Sequence, residues 1–307
     1  MSNEPNSAAE RSARGSGPAA RWAEEPWGAV FVLYRPDLPA VERSLAVVRE
    51  LGGSPLLVDN TPESAADPAW AAARGAELIF NGNRDGIAGA LEEGFRWAES
   101  RGLPWLLTMD QDSVVRKEWL GSLLLWRGRL PGDAAILSAD HVVDVEAFGL
   151  DCPEEMSLRR LRDTMTSGNL VRVEAWRNSP GFDRSLFIDQ VDHDFCLKLG
   201  KAGYTVWRLV GAKMRHPLGA MTFHRVFGFR VHACHHSPSR WHTISRNLPR
   251  VALRHCLRYP KFACREVVHY AEMFLAMLVF EEDRPAKLRA AARGFRDLLL
   301  GRSGAPR

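Results

Sequence analysis

The chain of 307 residues lacks any long run of uncharged apolar residues. A helix that crosses a bilayer needs about 18 or more such residues, so the sequence predicts none. Residues 1–25 also lack an apolar signal core and are rich in small and polar residues, which predicts a disordered tail and no secretion signal. Cysteines are few, odd in number at five and irregularly spaced, which is typical of reduced thiols in the cytoplasm.

Charge is unevenly distributed, because residues 246–307 contain 13 Lys and Arg against 6 Asp and Glu in a chain of net charge +4. Arginines every fourth position predict a basic stripe on a helix that Pro260 should end or kink. The apolar run 270–280 is too short to span a bilayer. Two interpretations stay open: peripheral contact of 246–280 with an anionic membrane, or a packed helix with a solvated basic face. Without interleaved aromatics or a recognisable motif, nucleic-acid binding is not expected.

Short apolar runs alternate with amphipathic segments along most of the chain. Helices are predicted at 38–51, 86–101 and 191–199. Strands are predicted at 28–34, 55–60, 76–80, 105–109, 134–138 and 205–210, the last at an edge, and a turn into another strand at 166–173. This alternation predicts an α/β fold with a mostly parallel central sheet flanked by helices.

Two carboxylates one residue apart follow the predicted strand 105–109. Side chains alternate along an extended backbone, so Asp110 and Asp112 can point to the same side. Carboxylates this close repel each other, and Mg²⁺ is typically held by one or two carboxylates together with substrate phosphates. Asp59 and Asn60 also end a strand, where ligands of open parallel sheets bind. The pair therefore predicts a metal–diphosphate site, with a loop turn or helix cap as the structural alternative.

Seven short motifs occur in the order found in one known family. They are Val58–Asn60, Asn83–Ala88, Leu107–Ser113, Ser167–Asn169, Phe187–Phe195, His216–Gly219 and Arg246–Asn247. Over roughly residues 28–247 the chain therefore resembles glycosyltransferase family 2, and within it the bacterial rhamnosyltransferase-like members. The resemblance implies a GT-A fold, which is Rossmann-like, and transfer of a sugar from a nucleotide diphosphate with inversion at the anomeric carbon.

The resemblance also implies roles on the donor side. Asp59 would accept a hydrogen bond from the nucleotide base, and the loop with Asn83 and Gly86 opens a helix whose N–H groups suit a polar or anionic ligand. Asp110 and Asp112 would bind Mg²⁺ or Mn²⁺ at the donor diphosphate. His216 would add a ligand or contact the diphosphate. The family often has Asn where this chain has Glu93, which leaves details of nucleotide contact open.

On the acceptor side, Asp192 aligns with the family's catalytic position. An inverting transfer needs a carboxylate that removes the acceptor's hydroxyl proton, so Asp192 is the predicted general base. Asp189 is the fallback base, although Asp189 and Asp194 also suit a purely structural role at a helix N-terminus. The Ser167–Asn169 motif matches an acceptor-side turn.

A histidine-rich segment, His232–His236, contains four potential zinc ligands. Structural zinc sites need well-spaced ligand pairs, and no second pair follows at the usual separation. A position beside the acceptor or in a polar loop is therefore favoured over zinc.

The sequence predicts three regions: the disordered tail 1–25, a GT-A catalytic domain 26–245 and a basic helical C-terminal extension 246–307. The predicted function is metal-dependent transfer of a sugar to a saccharide or lipid-linked acceptor in bacterial surface polysaccharide synthesis. The first candidate for the donor is dTDP-rhamnose. The predicted location is the cytoplasm or the inner face of the plasma membrane. Alternatives are a UDP-hexose or UDP-galactofuranose donor, a non-catalytic sugar-nucleotide or glycan-binding protein, and a nucleotidyltransferase, for which an early Gly-rich phosphate loop is missing.

Overall fold

A computed structural model describes residues 25–64, 66–142, 149, 151–153, 155–216, 221–226 and 229–306. The predicted disordered tail lies outside the described residues except for Glu25. Of the motif His216–Gly219, only His216 is described.

An eight-stranded sheet forms the centre of the protein. Its strands are β1 Trp27–Leu33, β2 Ser54–Asp59, β3 Glu77–Phe80, β4 Trp105–Asp110, β5 Ala134–Val142, β6 Ser157–Leu161, β7 Asn169–Arg172 and β8 Thr205–Arg215. Their order is β3-β2-β1-β4-β7-β5-β8-β6. Strands β6 and β7 pair antiparallel with their neighbours, and the other six share one direction. The sheet is therefore mostly parallel, as predicted.

The strand predicted at the sheet edge, 205–210, is not an edge strand. It forms the first part of β8, which pairs with β5 on one side and with β6 on the other. The sequence analysis missed β6 because its residues, Ser-Leu-Arg-Arg-Leu, are too polar to stand out as an apolar run. This polar, partly exposed strand is suited to the edge position that it takes.

Helices and a hairpin surround the sheet. They are α1 Leu38–Glu50, α2 Pro68–Ala73, α3 Gly86–Ser100, α4 Lys117–Trp126, α5 Val173–Arg177, α6 Val191–Lys201, α7 Pro238–His255, α8 Pro260–Phe280 and α9 Arg284–Leu299, with the hairpin strands β9 Thr222–Val226 and β10 Phe229–Ala233.

Both faces of the sheet are buried, and β1 shows how. Val30 contributes to an apolar cluster with Phe95 of α3 and Phe195 of α6. The next residue, Phe31, contributes to a second cluster with Leu45 of α1. Because successive strand side chains point to opposite faces, a continuous apolar run such as β1 is typical of a strand covered on both sides.

The C-terminal helices pack on one another through a third apolar cluster, which includes Trp241, Leu248 and Met277. Helix α7 begins at Pro238 and runs without interruption across residue 246, the predicted start of the C-terminal extension.

The predicted basic stripe does not form one surface. The chain leaves α7 after His255 and starts α8 at Pro260. Arg246 is buried and donates to the carbonyl of Leu186, while Arg254 pairs with Asp194 at 2.9 Å. Burial explains the difference, because a buried acid or carbonyl needs a donor from the helix that covers it.

Within the described ranges, no helix is both long enough and apolar enough to cross a membrane.

Candidate functional site

Two predicted donor-side aspartates flank the end of β1. Leu33 of β1 pairs with Asp59 of β2, and Val32 pairs with Asp110 of β4. Neighbouring strands lie about 4.8 Å apart, so the α-carbons of the two aspartates stand about 10 Å from each other at the same end of the sheet. Both predicted site positions therefore belong to the carboxyl end of the parallel strands, where a ligand would bind.

The Asp59 carboxylate is fully buried and organises the loop that follows it. It accepts hydrogen bonds from the backbone N–H groups of Thr61 and Ala66, at 2.8 and 3.1 Å, and from the Ser64 hydroxyl at 3.2 Å. The structure thus reveals a structural use for this carboxylate, whereas its contact with a nucleotide base stays a prediction.

The sequence analysis expected the N–H groups at the start of α3 to suit a ligand, but at least one of them binds within the protein. The backbone N–H of Ile87 donates to the carbonyl of Phe187 at 2.9 Å, so the protein itself caps this helix end. Asn83 has a left-handed backbone, and its carbonyl accepts from the N–H of Gly86 at 3.2 Å. The Asn60 amide donates to the carbonyl of Gly86 at 3.0 Å. This loop fixes the Phe187 segment, and donor contacts by Asn83 and Gly86 stay predictions.

Gly86 is needed for this close approach, and its replacement tests that. A Cβ atom there would lie 2.2 Å from the Phe187 carbonyl oxygen, and φ is +62°. Gly102 is a matched control, with φ +64° and no atom within 4 Å of a built Cβ. We expect Gly86→Ala to lower the free energy of unfolding by about 1–3 kcal/mol more than Gly102→Ala, as measured by urea denaturation. Equal losses in the two variants would show that the contact with Phe187 imposes no constraint.

Asp110 lies in a cluster of negative charge. Burial, together with the nearby charges of Asp112 and Asp192, raises the pKa of Asp110 to about 7, while the charge of Arg240 opposes the shift. Gln111, between the two aspartates, exchanges two hydrogen bonds with the backbone of Tyr34 at the end of β1. The Asp110–Asp112 segment is thereby anchored to the sheet.

The Ser167–Asn169 motif connects the two halves of the site. The Ser167 hydroxyl accepts from the backbone N–H of Asp110 at 3.1 Å. One residue earlier, the N–H of Thr166 donates to the Asp192 carboxylate at 3.2 Å. Gly168 donates through its N–H to the carbonyl of Thr108 at 2.8 Å. A single short segment therefore sets the position of Asp192 relative to Asp110.

The three acids near the start of α6 have different surroundings. Asp192 is partly exposed and accepts hydrogen bonds from the backbone N–H groups of Thr166 and His193. Asp189 is held by Arg240 at 2.6 Å and by the Thr243 hydroxyl at 2.5 Å. Asp194 is fully buried, with His255, Lys198 and Arg254 around it. Burial works against its charge, but these partners lower its pKa to about 2. Asp194 thus has a structural use, and the role of Asp192 as general base stays a prediction.

His216 does not join the Asp110–Asp112 pair in a closed metal cage. Its Nδ1 lies 3.4 Å from the Ser113 hydroxyl, and its ring meets that of His141 edge-on with centroids 5.6 Å apart. Among the described residues, no group of three or more His, Cys, Asp or Glu is arranged to hold a metal ion. The carboxylate pair fits an open site that a divalent ion would share with substrate phosphates. Ligation by His216 stays a prediction.

Two residues of the site escaped the sequence analysis. His141 lies just past the predicted end of a strand, and its Nε2 is 2.7 Å from the Ser167 carbonyl. Burial lowers the pKa of His141 to about 4, so the ring is neutral at pH 7. Arg240 reaches the site from α7, more than a hundred residues after Asp110, and no local pattern signals that contact.

The His232–His236 segment takes part in packing of the hairpin. The His235 Nε2 lies 2.7 Å from the Thr222 hydroxyl, and its backbone N–H donates to Glu281 at 2.8 Å. His232 lies beside His269, with ring centroids 6.3 Å apart. In this segment too, the described residues include no group of three or more His, Cys, Asp or Glu that could hold a metal ion.

Comparison with known proteins gives matches in sequence and in fold. The model of "Glycosyl transferase family 2" matches residues 56–178. The dTDP-rhamnosyl transferase RfbF of Shigella flexneri is 26% identical over 231 residues, which are 71% of this chain and 77% of that protein.

Two solved structures of S. aureus TarS 1-349 have a similar fold. One aligns with a TM-score of 0.57 and 11% identity over 89% of this chain and 80% of its own. The other, a complex with UDP, aligns with a TM-score of 0.50 and 12% identity over 75% of this chain and 65% of its own. A further, longer structure of S. aureus TarS also aligns, and the chain spans 44% of its length.

The predicted fold is confirmed by these structural matches together with the sheet and its flanking helices. The segment that matches the family model contains the first four of the seven motifs. The chain is therefore similar in sequence to glycosyltransferase family 2 and to a rhamnosyltransferase, and it has a GT-A fold.

Proposed function

We propose that this glycosyltransferase is a metal-dependent inverting enzyme that transfers rhamnose from dTDP-rhamnose. The observation that supports the proposal most is the arrangement of two acidic centres across one short segment. Asp110 ends β4 and Asp112 follows it in the next turn, and Asp192 is tied by Thr166 to the other side of the same site. An inverting transfer needs this separation, since one centre serves the leaving group and the other the acceptor.

In the proposed reaction, the Asp192 carboxylate takes the proton of the acceptor hydroxyl. The hydroxyl oxygen forms a bond to the anomeric carbon, and the bond from that carbon to the diphosphate oxygen breaks with its electron pair leaving on the diphosphate. Asp110 and Asp112 would hold Mg²⁺ or Mn²⁺. Such an ion supplies positive charge that stabilises the departing diphosphate. The protein's part is to keep the two carboxylate centres apart and oriented.

The donor assignment rests on the relative's name, because RfbF is a dTDP-rhamnosyl transferase. UDP-hexose and UDP-galactofuranose donors remain the alternatives, and the TarS complex with UDP is a reason to include UDP-sugars in any panel. A non-catalytic sugar-nucleotide or glycan-binding protein is disfavoured because Asp192 is only partly buried and, among the described residues, forms no salt bridge that would explain it as a structural residue.

Thermal unfolding in the presence of nucleotide sugars tests the donor. We expect dTDP-rhamnose with Mn²⁺ to raise the melting temperature, since a ligand at 100 times its Kd stabilises by about 2.7 kcal/mol. UDP-glucose, UDP-galactofuranose and dTDP alone are the comparisons, and EDTA should reduce the shift. A larger shift with a UDP-sugar would replace the donor, and no shift with any sugar nucleotide would favour the non-catalytic alternative.

The acceptor is proposed to be a saccharide or a lipid-linked saccharide of a bacterial surface polysaccharide. Several apolar side chains of α8, among them Val268 and Leu275, are exposed. Contact of 246–280 with the inner face of a membrane stays a prediction.

A further inference from the structure

The loop between α5 and α6 that leads to Asp192 has an unusual backbone. Phe187, Asp189 and Gln190 have φ values of +66°, +65° and +65°. Residues with a side chain seldom adopt this left-handed region, so such a loop persists only where its surroundings hold it. Gln190 is the N-cap of α6, and Asp192 is the second residue of that helix. The conformation of this loop therefore sets the direction in which α6 starts.

One fully buried side chain of α7 contacts this loop along its backbone. The Asn247 amide group donates to the carbonyls of Leu186 at 2.7 Å and Ile188 at 2.6 Å, with a longer approach of 3.4 Å to Asp189. The amide oxygen of Asn247 accepts from Nε of Arg246 at 2.9 Å. Every polar atom of this amide is thus used, and the Leu186 carbonyl accepts in addition from the N–H of Ile188 and from the Arg246 guanidinium.

Other contacts hold the same loop from two sides. Arg240 and Thr243 of α7 bind the Asp189 carboxylate, and together with Asn247 they lie at i, i+3 and i+7 on one helix face. On the opposite side, Ile87 at the start of α3 donates to the Phe187 carbonyl. The loop is therefore clamped between α3 and α7.

We propose that Asn247 is a positioning residue for the transfer reaction, acting through the 186–189 backbone to orient Asp192. This inference rests on the proposed role of Asp192 as base. Asp192 is aligned by a 3.2 Å bond from Thr166, which leaves little tolerance for a shift of the first turn of α6. A displacement of about 1 Å in a catalytic group can cost about 100-fold in rate. Asn247 of α7 thus orients Asp192 through the loop and does not itself contact the substrate.

The test compares substitutions of α7 residues that contact the loop with the substitution of a buried α7 residue that contacts α8 instead. Asn247→Leu keeps the size of the side chain and removes both donors, and Thr243→Val removes the hydroxyl bound to Asp189. Ser245→Ala is the matched control, since Ser245 is equally buried on α7 but its hydroxyl lies 2.9 Å from that of Tyr270 in α8.

Three quantities are measured for each variant: release of dTDP from dTDP-rhamnose with water as acceptor, the Kd for that donor, and amide hydrogen exchange of residues 187–194. We expect Asn247→Leu to lower the rate about 10- to 100-fold with a donor Kd within about threefold of wild type. Exchange at 187–194 should accelerate. Thr243→Val should show the same changes to a smaller extent, and Ser245→Ala should show neither.

A rate and a local exchange profile for Asn247→Leu equal to those of Ser245→Ala would overturn the inference. If Asn247→Leu does not fold, Thr243→Val decides by the same two readouts. A wild-type protein that releases no nucleoside diphosphate from any sugar-nucleotide donor would instead count against the proposed function. The exchange experiment then still decides whether Asn247 holds the loop, because it does not depend on activity.

Discussion

The Asp192→Asn variant is expected to transfer sugar about 10²- to 10⁴-fold more slowly than wild type, the usual contribution of a general base. Asparagine has the same shape as aspartate, and its amide oxygen can still accept the bond from Thr166. What the variant loses is the basic oxygen that receives the hydroxyl proton. Because the proposed donor site lies at Asp110 and Asp112, the donor Kd should change little. Release of dTDP from dTDP-rhamnose and donor titration measure the two quantities.

The Asp189→Asn variant is the control for this prediction, since Asp189 was the fallback base. Its carboxylate is engaged by Arg240 and Thr243, so the variant should lose part of its activity through the loop and not the whole of it. Full activity in Asp192→Asn together with an inactive Asp189→Asn would move the base to Asp189.

The Asp110→Asn variant is expected to lose Mn²⁺-dependent donor binding, by at least about 10-fold in Kd, because removing a charged ligand removes a direct bond to the ion. Melting temperatures with donor and Mn²⁺, and with donor and EDTA, measure the effect. In wild type the two conditions should differ, and in the variant they should coincide. An undiminished Mn²⁺ effect in Asp110→Asn would exclude this carboxylate as a ligand.

The raised pKa of Asp110 adds a dependence on pH. A carboxyl group with a pKa of about 7 binds a proton where a metal would bind, so apparent Mn²⁺ affinity should fall as the pH drops below about 7, by up to tenfold per unit. The folded-state pKa lies above the unfolded value, so without metal the folded state loses stability as the pH rises from about 4 to about 7. Asp110→Asn should remove this pH dependence, and an unchanged slope in the variant would assign it to other groups.

Much of the sheet could be predicted because its strands are continuous apolar runs with polar ends. Strands β1, β2 and β4 are buried on both faces, and the aspartates at the ends of β2 and β4 stand out against those runs. Strand β6 was missed because a polar edge strand carries no such signal. Local pattern thus identifies the buried part of a sheet better than its edge.

The site could be predicted only where a residue's position along the chain decides its role. Asp110 and Asp112 follow from a strand end, and Asp192 from the resemblance to a family. The use of Gly86 to admit the Phe187 carbonyl, and of Asn247 to hold the loop before α6, depends on chain segments that meet only after folding. The basic stripe failed as a prediction for the same reason, since Arg246 and Arg254 are drawn inward by a carbonyl and an acid that are distant in sequence.

The central claim is that the donor is held by the Asp110–Asp112 centre, and that the proton is taken by Asp192. Calorimetric titration of dTDP-rhamnose with Mn²⁺ into wild type, Asp110→Asn and Asp192→Asn tests the donor half directly. The account predicts similar affinity for wild type and Asp192→Asn, and a loss in Asp110→Asn. Equal affinity in all three proteins, or a loss confined to Asp192→Asn, would contradict it.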